Sequence, residues 1–276
     1  MSDTETASDT AATGAGDGHR CERRSDGPRV NGVRIDPTSP AGFLQAVDSF
    51  LLCGKEGGKA HVFHFNAAHP TVEARHDPAY RDLLNRGDLN LADGMPVAWA
   101  ARRKGQPVLR LAGTDAMSAL CAWGLDRGLT HYLYGATEET LAAMRANLER
   151  SYPGIKIVGT ESPPFRAIPD DELDETVARM RTAGAQAVWI GLGAPKQDVM
   201  GARLRERDAA PLLFCVGAAF DFIAGTKSRA PAWMRRWGLE WLHRLGSEPG
   251  RLWKRYLVGN SQFVAGVLWD RLRGRT

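Results

Sequence analysis

Short apolar runs alternate with longer segments that carry apolar residues at spacings of three and four. Strands of a parallel sheet are buried on both faces, so runs that are apolar throughout predict strands. Six strands are predicted, at residues 60–66, 88–93, 130–135, 155–160, 186–193 and 211–217. The longer segments predict helices at residues 41–54, 113–128, 137–154, 169–184 and 195–210.

The alternation of strands and helices predicts an α/β fold, a Rossmann-like open parallel sheet with helices on both faces. In such sheets, ligands bind beyond the carboxyl ends of the strands, where loops lead into helices. Asp93, Gly135 and the "GLGAPKQ" turn follow predicted strands directly. We therefore expect these three features to lie at the ligand-binding edge.

The ends of the chain differ in composition from its middle. Residues 1–28 are rich in Ser, Thr, Gly, Asp and Ala, which predicts a disordered tail. Residues 29–225 form the predicted α/β domain. Residues 226–276 show helical patterns only, with five tryptophans and many arginines, and predict a basic helical appendage. The apolar residues of its last helix, from Trp253 to Leu268, are expected to form one stripe.

Composition limits the cellular setting. The 276 residues are 43% hydrophobic with a formal net charge of +4, typical of a globular protein. The four cysteines lie far apart, and no apolar signal region follows the N-terminus, which favours a reducing cytosol over secretion. No apolar stretch reaches the roughly 18 residues of a spanning helix.

The segment "GLGAPKQD" combines two glycines with a proline at the predicted start of a helix. Free N–H groups at a helix start bind anions, so Gly191 and Gly193 indicate a phosphate site. The alternative is a tight strand-to-helix turn with no ligand. Lys196 occupies the third glycine position of the dinucleotide fingerprint, which disfavours a nicotinamide cofactor.

Asp93 ends an apolar run and precedes Gly94. It can cap the next helix, because Asp is a preferred capping residue. Alternatively, its carboxylate accepts a proton from a substrate hydroxyl as a general base. The local sequence leaves both interpretations open.

The segment "HVFHFNAAHP" contains three histidines, but their placement disfavours a zinc site. His61 and His64 are expected on opposite faces of a strand, and His69 in the following turn. Asn66, at the strand end, is a candidate for a polar contact to a ligand, with a turn-forming asparagine as the alternative.

The basic, tryptophan-rich appendage admits three interpretations: a solvated helical surface, a nucleic-acid site or a membrane-facing platform that also binds phosphates. Nucleic acid is disfavoured, because the aromatic residues fall mainly on apolar helical stripes. Pairing of arginine with phosphate near an interfacial helix is the simplest account.

Several motifs, taken in order, resemble the WecG/TagA/CpsF family of bacterial glycosyltransferases. They are the strand-end "ADG", "LAGTDAM", "GLGAPKQ", "AG" followed by "RAPAW", and "GLEWLHRL…EPGRLWKRYL". The resemblance covers roughly residues 30–265. It implies an α/β catalytic domain with a C-terminal helical appendage.

The resemblance implies transfer of N-acetylmannosamine, its uronic acid or a related sugar from UDP to a polyprenyl-diphosphate-linked acceptor. The transfer inverts the anomeric configuration, needs no metal or other cofactor, and serves surface polysaccharide synthesis. The protein is then expected in the cytoplasm, peripherally bound to the anionic inner face of the membrane. A homo-oligomer is left open.

The resemblance also implies site residues. Asp93 matches the proposed general base, and Gly94 keeps its loop clear of the sugar. Asn66 and Gln197 match polar contacts to the sugars, while Gly191 and Gly193 let backbone amides approach UDP. Without a metal, cations must stabilise the leaving group. The candidates are Arg229, Arg244, Arg251 and Arg255, with solvent-exposed arginines that bind no substrate as the alternative.

One residue departs from the family pattern, since His64 stands where a threonine is common. This replacement suggests an altered sugar preference. Two other classes of protein remain as alternatives: a catalytically silent protein that binds nucleotide sugars or anionic lipids, and a nicotinamide-dependent oxidoreductase. The second alternative rests only on the general α/β pattern.

Overall fold

The computed structural model describes residues 27–55, 59–102 and 108–273. Most of the predicted tail, residues 1–26, lies outside the described residues. The chain forms a short hairpin and one larger sheet. The strands are β1 (Arg29–Val30), β2 (Val33–Arg34), β3 (His61–Asn66), β4 (Leu89–Ala92), β5 (Thr130–Gly135), β6 (Lys156–Glu161), β7 (Ala187–Gly191) and β8 (Leu212–Cys215).

The larger sheet has six strands in the order β4-β3-β8-β7-β5-β6. Every neighbouring pair is parallel, so all six carboxyl ends lie on one edge. The predicted Rossmann-like open sheet is confirmed, and each observed strand lies within two residues of its predicted bounds. The strands β3 and β4 lie on one side of β8, and β5 and β6 lie beyond β7 on the other.

Helices connect the strands and continue to the C-terminus. They are α1 (Pro40–Lys55), α2 (Ala68–His76), α3 (Pro78–Asn85), α4 (Met95–Ala101), α5 (Gly113–Gly124), α6 (Glu138–Ser151), α7 (Asp170–Thr182), α8 (Lys196–Glu206), α9 (Ala219–Ala224), α10 (Ala232–Arg236), α11 (Glu240–Ser247), α12 (Pro249–Trp253) and α13 (Gly259–Leu272). A π-helical turn, Lys254–Val258, joins α12 to α13.

The placement of His69 in a turn is wrong, because this residue lies in α2. The two helices α2 and α3 were not predicted. Helix α2 lacks a capping side chain at its N-cap, Ala67, and contains Pro70 in its first turn. The missing capping side chain removes a usual sign of a helix start from the sequence.

Apolar side chains cover both faces of the sheet. Alternate residues of a strand point to opposite faces, and Val62 and Phe63 accordingly belong to different apolar clusters. Helices α1, α5, α6 and α9 contribute to the cluster of Phe63, while α7 and α8 contribute to that of Val62. This double cover explains why the central strands are mainly apolar, whereas the edge strand β6 carries Lys156 and Glu161.

A third apolar cluster joins the C-terminal helix to the start of the chain. It contains Val30 and Val33 of the hairpin, residues of α2–α4, and Phe263 of α13, which is 5% exposed. Beside Phe263, Arg75 donates to the Asp270 carboxylate over 2.9 Å. Helix α13 is thus packed against the α/β domain.

The single apolar stripe expected in the last helix is wrong. Phe263 is buried, whereas Val264 and Leu268 are 55% and 54% exposed. Within α13 the buried residues are Phe263, Gly266 and Asp270, a spacing of three and four that follows one side of the helix, and Val264 and Leu268 fall beside that side. Within the described ranges, no helix is both long and apolar enough to cross a membrane.

Candidate active site

A cleft of about 1140 Å³ opens at the carboxyl ends of the strands. The loops that follow β4, β5, β6, β7 and β8 line it on the side of the sheet. The appendage closes the other side, with lining residues from Lys227 to Asn260. The ligand-binding edge predicted for an open α/β sheet therefore coincides with the contact between the sheet and the appendage.

Asp93 lines this cleft, immediately after β4. It does not cap the helix that follows, because Gly94 is the N-cap of α4 and makes no side-chain cap bond. Instead, Asp93 Oδ1 accepts a 2.9 Å hydrogen bond from the N–H of Gly113, the first residue of α5. For Oδ2, the described part of the chain supplies no hydrogen-bond donor, so this oxygen can accept one from a ligand.

The electrostatic surroundings of Asp93 favour a base over a permanently paired carboxylate. Burial raises the pKa of Asp93 above its usual value, because an ionised carboxylate is poorly solvated there. The positive charge of Arg110 lowers the pKa, the negative charge of Glu240 raises it, and Arg244 adds a weaker lowering effect. The net result is a raised pKa, and thus a carboxylate that accepts protons more readily than a solvated aspartate.

An ion-pair network lies beside Asp93 and joins the appendage to the sheet. Arg229 binds Asp115 through two contacts, of 2.7 and 2.8 Å. Arg110 donates to Glu240 over 2.8 Å and to Asp115 over 3.5 Å. Burial alone would raise the pKa of Asp115, but its contacts with Arg229 and Arg110 lower it overall. Asp115 is therefore an ionised anchor for the arginines.

The glycine motif after β7 lies near the centre of the cleft. A Cβ on Gly191 would come within 2.5 Å of the Phe220 ring, so only glycine fits there. Gly193 has a φ of +77°, and the space on its Cβ side is open. Gly94 also lines the cleft, with a φ of −99°. Gly191 and Gly193 present no side chain at the turn into α8, where the N–H groups of Gln197 and Asp198 already donate to the carbonyl oxygens of Gly193 and Pro195. A phosphate contact at this turn stays a prediction.

Gln197, in the first turn of α8, lines the cleft although it is only 4% exposed. Its Nε2 donates to the carbonyl oxygen of Cys215 over 3.0 Å. Its Oε1 is buried and finds no hydrogen-bond partner in the described ranges. A buried amide oxygen without a donor is costly, so Gln197 is suited to accept a hydrogen bond from a bound hydroxyl.

Asn66 and His64 are directed to internal partners. Asn66 is 1% exposed, and its Nδ2 donates to Asn90 Oδ1 over 3.0 Å. His64 Nδ1 is 2.7 Å from Asp198 Oδ1, and the Tyr80 hydroxyl donates to the other Asp198 oxygen over 2.7 Å. Neither Asn66 nor His64 is among the residues that line the cleft. Their proposed contacts with ligand stay predictions, and the structure gives both side chains a structural role.

The four candidate arginines of the appendage differ in their surroundings. Arg244 lines the cleft, and its guanidinium lies 5.8 Å from the centre of the Phe222 ring. Arg229 is held by Asp115 and is not among the lining residues. Arg251 lies in α12 and Arg255 in the π-helical turn, but their side chains lie outside the described residues. Of the two arginines whose side chains are described, Arg244 lines the cleft and Arg229 does not.

Arg110 and Glu240 were missed as candidate residues. Both line the cleft, and their ion pair connects the loop before α5 to the start of α11. Arg110 and Glu240 are separated by 130 positions, so no spacing rule links them. The signal in the sequence was the presence of Glu240 and Asp115 inside the motifs "GLEWLHRL" and "LAGTDAM".

The three histidines of the segment "HVFHFNAAHP" do not form a cluster, because each has different neighbours. His61 stacks on Phe50 with ring centres 4.2 Å apart, His64 pairs with Asp198, and His69 lines the cleft. Potential metal ligands of His64, Asp198 and Cys215 do lie within 4.8 Å of one another. They are engaged internally, since Cys215 Sγ donates to the Gln197 carbonyl oxygen over 3.3 Å. This cluster holds α8 against the sheet.

The fold and the cleft define an α/β enzyme with a carboxylate, open glycine loops and arginines at the carboxyl edge of a parallel sheet. The family model for the glycosyl transferase WecG/TagA/CpsF family matches residues 28–276. The chain belongs to this family, and the resemblance seen in its motifs is confirmed. It is therefore a member of a glycosyltransferase family, which implies a nucleotide-sugar donor and an acceptor.

Proposed function

We propose that the protein is an inverting glycosyltransferase that uses a UDP-sugar donor. The transferred sugar is N-acetylmannosamine or a related hexose or uronic acid, and the acceptor is a polyprenyl-diphosphate-linked sugar. The product is a precursor of a surface polysaccharide. These assignments extend what the resemblance implies for the family to the site of this chain.

The observation that carries the proposal is the state of Asp93. Its Oδ1 is fixed by the Gly113 N–H, Oδ2 has no donor among the described residues, and burial raises its pKa. Asp93 accepts the proton of the acceptor hydroxyl while that oxygen bonds to the anomeric carbon. The bond from that carbon to the phosphate oxygen breaks, and UDP leaves with the electron pair. A single in-line displacement of this kind inverts the anomeric centre.

The donor fits the glycine side of the cleft. Gly191 and Gly193 allow backbone amides to approach the diphosphate, and the N-terminus of the 11-residue helix α8 favours negative charge. Arg244 supplies a cation for the leaving group, which lowers the energy of the charge that develops on UDP. Gln197 Oε1 accepts a sugar hydroxyl. No step of this scheme needs a metal ion or another cofactor.

The acceptor lipid is reached through the appendage. Its outer surface exposes large apolar side chains between basic ones, a composition typical of helices that lie in a membrane interface. The exposed apolar residues are Trp233, Trp237, Leu242, Trp253, Leu257, Val258, Val264, Leu268, Trp269 and Leu272. We place the protein in the cytoplasm at the anionic inner face of the membrane, with this surface in contact with lipid.

The first test is release of UDP from a panel of UDP-sugars, including UDP-N-acetylmannosamine, with a synthetic polyprenyl-diphosphate-GlcNAc acceptor. Loss of a general base typically costs 10²–10⁴-fold in rate, so Asp93→Asn should reduce acceptor-dependent release by roughly that factor. Donor binding, measured by calorimetry, should persist. Asp126→Asn, which removes an exposed carboxylate on the surface, is the matched control and should keep wild-type release.

Each alternative outcome has a defined meaning. Acceptor-dependent release that survives Asp93→Asn would contradict the base assignment. Binding of a UDP-sugar without release from any donor and acceptor pair would favour the catalytically silent binding protein.

A further inference from the structure

A charged residue of the appendage contacts the charges around the proposed base. Glu240 is the first residue of α11, and its Oε2 accepts a 2.8 Å hydrogen bond from Arg110 Nη2. The Arg110 side chain is 13% exposed and that of Glu240 is 24% exposed, so solvent screens this pair only in part. Arg110 and Asp93 line the same cleft.

Arg110 contacts two carboxylates, those of Glu240 and Asp115. Its other terminal nitrogen is 3.5 Å from Asp115 Oδ2, but Arg229 already occupies both oxygens of Asp115. Arg235 approaches the same carboxylate to 4.0 Å. Asp115 is therefore shared among three arginines and cannot neutralise Arg110 fully. Without Glu240, Arg110 would be left with the shared Asp115 and with Asp93, on which its positive charge already acts.

An ion pair between Arg110 and Asp93 would weaken the base. A carboxylate paired with a guanidinium holds its proton less tightly, because the positive charge stabilises the ionised form. Glu240 draws the guanidinium toward the appendage and adds negative charge of its own near Asp93. Both effects keep Asp93 basic.

We propose that Glu240 is a positioning residue for sugar transfer, which holds Arg110 on the appendage side of the cleft and leaves Asp93 unpaired. The inference rests on the proposed role of Asp93 as the base. It also gives the appendage a chemical task besides lipid contact. Docking of α11 on the sheet brings Glu240 to Arg110 and completes the surroundings in which Asp93 accepts a proton.

The electrostatic partners support this arrangement. The groups that act on Asp93 are Arg110, Glu240, Arg244 and the Gly113 N–H, and Glu240 opposes the two arginines. Arg229 is also close enough for Asp93 to raise its pKa. Glu240 is thus an acidic side chain that opposes Arg110 and Arg244 around the base, while Asp115 pairs with Arg229.

The test compares Glu240→Gln with Glu240→Asp and with Glu248→Gln. The first variant removes the charge and keeps the shape, the second keeps the charge, and the third removes another acid of the appendage, one that contacts Lys227 at 3.2 Å. Thermal unfolding establishes that each variant is folded. The readouts are the pH profile of kcat/KM and the titration of the Asp93 carboxyl by ¹³C NMR, assigned through its absence in Asp93→Asn.

Glu240→Gln should move the acid limb of the profile and the Asp93 titration to lower pH and reduce the plateau rate. Glu240→Asp and Glu248→Gln should keep both midpoints at the wild-type pH. A lower plateau with unchanged midpoints would overturn the proposal, because Glu240 would then only anchor the appendage. A shift to higher pH, or no change at all, would overturn it too.

The NMR titration needs no substrate and separates this inference from the proposed function. If the titration of Asp93 shifts as expected while Asp93→Asn retains turnover, Asp93 is not the base but the placement of Arg110 stands. If turnover requires Asp93 but Glu240→Gln does not shift the titration of Asp93, the proposed function stands and the positioning role of Glu240 fails.

Discussion

The α/β domain and the appendage bury their residues very differently. All four residues of the central strand β8 are buried, and both faces of the sheet are covered by apolar clusters. By contrast, α10 and α11 contain no buried residue. Buried side-chain atoms without a hydrogen-bond partner in the described part of the chain occur in both regions, among them Arg229 Nε and His243 Nδ1 in the appendage and Gln197 Oε1 in the α/β domain.

This difference separates stability from ligand chemistry. Hydrophobic burial stabilises the sheet and its helices, whereas the appendage offers donors and charge that a ligand can satisfy. Binding sites favour regions of low local stability for the same reason. Helix α13 is the exception, because Phe263 and Asp270 attach it to the α/β domain.

The largest effect on the free energy of unfolding is expected at the contact between α13 and the α/β domain. Phe263→Ala removes a ring that is 5% exposed, and such a truncation costs about 3–5 kcal/mol. Denaturant unfolding measures the loss, and Phe263→Leu should recover most of it. Deletion of residues 226–276 would then abolish turnover and also destabilise the remaining domain. A loss below about 1 kcal/mol for Phe263→Ala would contradict this attachment.

The next effect tests the polar contact between the two regions. Asp115→Asn removes the anion that binds Arg229, and since the Asp115 side chain is 37% exposed, we expect a cost of about 1–2 kcal/mol. The pKa of Asp115 is lowered in the folded protein, so its contribution is present above its unfolded value of 3.8 and is lost as the pH falls through the folded value. Unfolding of wild type and variant at a series of pH values should show the difference shrink in acid.

A smaller effect of opposite sign is expected at Asp93. Its pKa is raised by burial, so the ionised form destabilises the fold above the folded pKa, and the penalty vanishes as the pH falls to the unfolded value of 3.8. Asp93→Asn keeps an acceptor for the Gly113 N–H and should raise the Tm most at the alkaline end of a pH series, because the penalty is present above the folded pKa of Asp93. A Tm gain that is independent of pH would show that ionisation is not the cause.

The smallest effect on stability is expected on the exposed face of α13. Leu268→Ala changes a side chain that is 54% exposed and should alter stability by less than about 0.5 kcal/mol. The same change should weaken cosedimentation with vesicles that contain phosphatidylglycerol, and vesicles of phosphatidylcholine serve as the control. Unchanged sedimentation with anionic vesicles would argue against lipid contact at this face.

Sequence reasoning found the sheet and most of the site because these depend on local pattern. Strand β7 is apolar throughout, Asp93 follows β4 and Gly191 ends β7, and a parallel sheet brings these strand ends to one edge. Local pattern did not reveal the partners of side chains elsewhere in the chain. Asn66 donates to Asn90 and does not line the cleft, so its contact with a ligand stays a prediction. The single stripe expected in the last helix is wrong, because Phe263 is buried and Val264 is exposed.

The sequence by itself determined the α/β class, the succession of strands and helices along the chain, and the family. These follow from periodicity and ordered motifs, which are properties of the chain. Only the tertiary structure decided which charges meet. Arg110 pairs with Glu240 across 130 positions, and His64 pairs with Asp198 across 134. Contacts of this kind depend on how the helices pack on the sheet and on the appendage, which no local pattern encodes.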